Sequence, residues 1–163
     1  MAIIIAVAAF TLRYAPTGFI YIVPFTWCPI IARVFYDSRT AIFVHLITIF
    51  IISLAAPAPY LFILIQFIVG VIAVISLRDM TQRAQLAQTA AFILLSYSIL
   101  YTAATLLMAG NISDIDYRYY IYFAINAVLV ICSYGLIFLF ERCFGLISNI
   151  TLVELTNVNS NLM

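Results

Sequence analysis

Six apolar runs occupy most of the chain, at residues 2–12, 19–35, 41–56, 60–77, 86–109 and 119–140. A bilayer core of about 30 Å takes about 17–25 residues of helix to cross. Four of the runs fall in or near that window, the third is slightly short, and the first is too short as it stands. The arginines fall between the runs in an alternating order. Arg33, Arg39, Arg78, Arg83 and Arg142 sit in or beside the second, fourth and sixth gaps, whereas the odd gaps hold only Arg13 and Arg118. Short cytoplasmic loops carry the basic excess of membrane proteins, so both ends of this stretch are expected in the cytoplasm. The expected architecture is an all-α polytopic membrane bundle over residues 1–140, with five full spans and a truncated first one. A cytoplasmic juxtamembrane connector follows over residues 141–163.

Composition excludes the main alternatives. The chain is 67% hydrophobic and 8% charged, too little polar surface for a soluble domain of this length. Its net charge is +1, which argues against nucleic-acid binding. Membrane lipids are the expected surroundings. Cys28, Cys132 and Cys143 have no metal-type or CxxC spacing. With one histidine and six scattered acids, no metal site or catalytic constellation can be assembled, and no glycine-rich phosphate loop occurs. No cofactor is expected within the chain.

The boundaries between runs have local causes. Pro16 and Gly18 separate the first two, and Asp37 with Ser38 are placed to cap the third helix. Pro57 and Pro59 stop the third helix and launch the fourth. Gly110 ends the fifth, and Ser113, Asp114 and Asp116 favour the start of the sixth. Tyr14, Tyr60, Tyr101, Tyr117, Tyr119 and Tyr120 fall where an aromatic belt would mark the outer interface.

Pro24 and Pro29 lie inside the second run. Each removes a helical hydrogen bond and frees the carbonyl four residues earlier, Ile20 or Phe25. Two readings are open: a kinked helix that opens a pocket or hinges, or a tolerated membrane proline. Three other polar residues lie within the spans. Gln66 and Asn126 sit at similar depth, which permits an interhelical hydrogen bond, and both are expected to face the bundle interior. His45 lies about one turn inside the third helix, near enough to the interface for partial hydration. Its candidate roles are packing through a local hydrogen bond, or pH sensing or ligand binding. Ser98, Thr102 and Thr105 share a face of the fifth helix suited to packing.

Thr151 and Glu154 form a capping box, with Ile150 and Leu155 at the positions of a hydrophobic staple. A new helical element is therefore expected to begin there, and both ends of the chain read as cut.

The stretch Glu141-Arg142-Cys143-Phe144-Gly145, with the segment from Ser148 to Leu155, resembles the membrane exit of the bacterial seven-transmembrane HD-hydrolase family. The loop Asp37-Ser38-Arg39, the loop Ser76-Leu77-Arg78-Asp79 with Arg83, and the stretch Tyr122-Phe123-Ala124-Ile125-Asn126 resemble family segments too. Asn161 stands where family members usually carry proline. The resemblance implies an anchoring and signal-transmitting membrane region in the bacterial inner membrane. Its partners would be an extracytoplasmic domain before it and a cytoplasmic HD domain after it. Characterised members hydrolyse cyclic di-AMP at a divalent-metal HD site, so both that nucleotide and the metal ions would belong to the HD domain. The rival expectation is a stand-alone six-helix protein, a solute-binding transporter subunit or a cell-envelope scaffold.

Overall fold

The computed structural model describes residues 1–77, 85–110 and 115–144. Among them every regular element is helical. Helix α1 spans Ala2–Tyr14, a 3₁₀ helix follows over Thr17–Ile22, and α2 spans Trp27–Phe35. Then come α3 (Ser38–Ser53), α4 (Pro59–Ser76), α5 (Gln85–Ala109) and α6 (Arg118–Phe144). Among the described residues four stretches are long and apolar enough to cross a membrane: Gly18–Phe35, Pro59–Ser76, Ala87–Met108 and Arg118–Leu139. Helices α1 and α3 are apolar but shorter. The 16 residues of α3 rise about 24 Å, close to the hydrocarbon thickness.

The local signals act largely where the sequence places them. Pro59 occupies the first turn of α4, where its missing N–H is not needed. Gly110 adopts φ +73° and donates its N–H to the Leu106 carbonyl at 3.0 Å, the left-handed stop that glycine makes without steric cost. Ahead of α6, the Asp116 carboxylate accepts from the Arg118 N–H at 3.0 Å. Asp37 occupies the N-cap position of α3, but its side chain makes no capping hydrogen bond.

Successive elements run up and down. One end gathers the 3₁₀ helix, the α3–α4 turn, the last part of α5 and the first turn of α6. The other end gathers Met1, the end of α2 and the start of α3. The second span is the centre of the bundle: the 3₁₀ helix touches α1 and α6, and α2 touches α3, α4 and α6. Of the Gly18–Phe35 window 61% is buried, against 39%, 17% and 35% for the other three. Outward faces are apolar, as lipid requires, and include Phe43, Leu54, Ile99, Leu107, Ile121 and Val128.

The aromatic belt divides. Tyr14, Tyr60 and Tyr117 are exposed, but Tyr101 turns inward. Its ring stacks on Tyr119 at 4.7 Å and meets Tyr120 and Phe123 edge-on. Burying those faces removes more apolar surface than an interfacial position would. Cys28 is buried and Cys132 exposed, and both are free thiols.

Candidate functional site

The centre of the bundle holds a set of polar groups built around the broken second span. Pro24 ends the 3₁₀ helix, and the regular α-helix resumes only at Trp27. The span is therefore interrupted at Pro24, whereas Pro29 is accommodated in the first turn of α2. The 3₁₀ geometry also changes which carbonyl is orphaned. In an i+3 register, the residue deprived by Pro24 is Tyr21 rather than Ile20. Ile20 retains a partner, accepting from the Val23 N–H at 3.2 Å.

Asn126 of α6 supplies the missing donor. Its Nδ2 donates to the Tyr21 carbonyl at 2.9 Å and the Val23 carbonyl at 3.0 Å, with Ile22 at 3.5 Å. One turn further along α6, the Leu129 carbonyl accepts from the Trp27 indole Nε1 at 2.9 Å. The break is thus clamped to α6 from both sides, with donors running in opposite directions. Gly18 permits the close approach, since a Cβ there would lie 2.8 Å from Tyr122 Cε2.

Gln66 faces the interior, as does Asn126; both are fully buried. They share no hydrogen bond. Gln66 Oε1 accepts instead from the Tyr97 hydroxyl at 2.7 Å. Tyr97 in turn stacks on Phe123 at 5.0 Å. The rotation of α4 points the Gln66 amide at α5 instead.

His45 is 1% exposed, which corrects the expectation of partial hydration. Its Nε2 donates to the Gln66 main-chain carbonyl at 2.9 Å. The ring reaches that carbonyl only because residue 70 is glycine: a Cβ there would lie 2.0 Å from Nε2 and 2.2 Å from Cδ2. The other nitrogen, Nδ1, has no partner in hydrogen-bonding geometry among the described residues, although the Phe25 carbonyl faces the ring. Pro29 removes the usual helical donor to Phe25, whose carbonyl takes the Cys28 N–H at 3.2 Å instead. A hydrogen-bonded path therefore joins α3, α4 and α5 through His45, Gln66 and Tyr97. Thr26 Oγ1, Gln66 Nε2, Asn126 Oδ1 and Ser133 Oγ are also buried without partners among the described residues.

On α5, Ser98, Thr102 and Thr105 turn their hydroxyls to carbonyls one turn back, and Thr102 also bonds to Tyr120 on α6 at 2.6 Å. Arg33 lies in the last turn of α2, and Asp37 and Arg39 at the start of α3, the latter two exposed. Arg78, Asp79 and Arg83 lie outside the described residues, as do Gly145, Thr151 and Glu154. The backbone of Glu141 belongs to α6, but its side chain is not described. Among the described residues no three His, Cys, Asp or Glu side chains gather as a metal set would.

Residues 1–148 match the model of the family described as 7TM receptor with intracellular HD hydrolase. The chain belongs to that family. Neither a curated protein nor a solved structure matches it. The match covers every described helix, so the interrupted span and its α6 clamp lie within the membrane receptor region of this HD-hydrolase family member.

Sequence reasoning missed four members of the core. Tyr97 could have been found as a tyrosine far from either interface. Trp27, the sole tryptophan, lies between two prolines in mid-span. Gly70 and Tyr21 carried no signal, because their importance depends on which neighbour faces them.

Proposed function

We propose that the chain is the membrane-anchoring and signal-transmitting region of a bacterial HD-domain cyclic-di-AMP phosphodiesterase, with the catalytic site outside these residues. Family membership supports an HD hydrolase, and cyclic di-AMP is the substrate that the resemblance in the exit and loop segments implies. The proposed setting is the bacterial inner membrane, with both ends cytoplasmic, following the arginine distribution. Divalent metal ions would act in the HD domain, and extracytoplasmic and HD domains would be the partners in the same protein.

The observation that carries transmission is the double clamp. Asn126 and Leu129 bind α6 to a backbone interruption through one donor and one acceptor. A displacement of the 3₁₀ helix is thereby passed to α6. From α6 it would travel through Glu141 and Gly145 to the connector, where the Thr151 and Glu154 capping box would give the tail a defined path. Coupling between distant sites is typically about 1–3 kcal/mol, within reach of the cap's about 0.5–2 kcal/mol.

The test uses the full protein in liposomes, with cyclic-di-AMP hydrolysis measured across membrane conditions that alter wild-type activity. Trp27→Phe, and Thr151→Ala with Glu154→Ala, should each blunt that response. Basal hydrolysis should largely survive, because the metal ligands would lie elsewhere. Wild-type responses in both variants would reduce the region to a passive anchor.

A further inference from the structure

A pocket of about 230 Å³ lies at the tyrosine-rich end of the bundle. Ile20 and Tyr21 of the 3₁₀ helix form one wall, Phe62 and the turn at Pro57 another, and Tyr101 with Tyr119 a third. Among the described residues no charged side chain lines it. An unpaired charge placed there would be desolvated without compensation, so the pocket suits a neutral occupant. A cavity of about 150 Å³ lined by apolar side chains accepts benzene, so this one has room for a single substituted ring.

The walls favour an aromatic one. Tyr101 and Tyr119 stack on each other, and Tyr21 stands 5.7 Å from Tyr119 and 6.3 Å from Phe62. Such a cluster offers a further ring both edges and faces for tilted contacts. Tyr21 also has a polar handle. Among the described residues its side chain is held by ring contacts, with Phe62, Tyr119 and Phe123, and its hydroxyl takes no hydrogen bond. We infer that this pocket binds one small neutral aromatic molecule of phenol to indole size, with the Tyr21 hydroxyl as its hydrogen-bonding anchor.

The position gives binding a consequence. The wall residue Tyr21 is also the residue whose carbonyl Asn126 holds. An occupant presses on the 3₁₀ helix at the point where that helix is tied to α6. The pocket thus borders the interrupted span beside its tie to α6. Its existence does not depend on the hydrolase reading, because the measurement below is of binding.

The probe is 4-fluorophenol, titrated into the chain in lipid nanodiscs and followed by ¹⁹F NMR against empty nanodiscs. The expected result is saturable binding at one site per chain. Ala56→Leu, which extends a wall residue into the space, should abolish it. Tyr21→Phe should retain the ring and weaken binding about 2- to 10-fold, the effect of one hydrogen bond. Leu107→Ala, on the lipid-facing side of α5, should leave it unchanged. Helical circular dichroism and Trp27 emission check the fold of each variant; if Ala56→Leu fails that check, Ala58→Leu takes its place. Uptake that never saturates, or that is equal in every variant, means partition into lipid and overturns the inference. Binding that survives the filling variant overturns it too. Failure of 4-fluorophenol to bind, with saturable binding of 8-fluorooctanol lost on filling, would assign the pocket to an acyl chain instead.

Discussion

Replacing Gly70 with alanine places a methyl group inside the His45 ring. The Cβ would lie 2.0 Å from Nε2 and 2.9 Å from Cε1, so the ring must leave. It cannot leave freely, because His45 is 1% exposed and its Nε2 is bonded to Gln66. Overpacking of this kind costs about 1–3 kcal/mol. The displaced hydrogen bond adds about 0.6–2 kcal/mol, the range found between membrane helices. Against these, alanine gains about 1 kcal/mol over glycine in a helix interior. The net is a loss of about 0.6 to 4 kcal/mol. The same substitution in a His45→Ala background meets no ring, so it should become neutral or stabilising by up to about 1 kcal/mol. The sign of one substitution therefore reverses with a second residue on another helix. Reversible unfolding by sodium dodecyl sulfate in mixed micelles, followed by Trp27 emission, measures all four corners of this cycle. A neutral Gly70→Ala in the presence of His45, or equal losses in both backgrounds, would refute the packing argument.

Three further outcomes follow from the core. Asn126→Leu strips the donor from the Tyr21 and Val23 carbonyls and should cost about 1–3 kcal/mol as buried acceptors go unserved, in the same unfolding assay; an unaffected midpoint would mean water serves them equally well. Tyr97→Phe keeps the stack on Phe123 but removes the donor to Gln66 Oε1; the expected loss is about 0.6–2 kcal/mol, and a gain in stability would show that the bond is strained. For orientation, a membrane-impermeant thiol reagent applied from outside intact cells should label a cysteine placed at Ser113 and spare one placed at Gln85, and the reverse pattern would invert the topology.

The spans were legible because lipid demands long apolar runs and proline and glycine punctuate them. Pro59 at the start of α4 and Gly110 at the end of α5 act where a reader of the sequence would put them. The inward direction of Gln66 and Asn126 was legible as well, because hydrocarbon cannot satisfy an amide, and both are fully buried. Rotation was not. Helices that are apolar all round have no polar face to indicate which side meets a neighbour, so the partners of Gln66, His45 and Asn126 could not be read. The 3₁₀ register was equally hidden, and it moves the orphaned carbonyl by one residue, from Ile20 to Tyr21. Gly70 shows the same limit from the other side, as its role exists only because His45 points at it.

The clamp also orders assembly. The second span leaves the ribosome before α6 does, yet the donor that its interrupted backbone requires is Asn126, 105 positions beyond Tyr21. Until α6 enters the bilayer, the Tyr21 carbonyl must be served by water or a lipid headgroup, or the span must linger near the interface. A backbone break in hydrocarbon is tolerable only beside protein or in a wet cavity. The centre of this bundle is therefore begun before α6 is made and completed only with it, and insertion of α6 is the event that seals it.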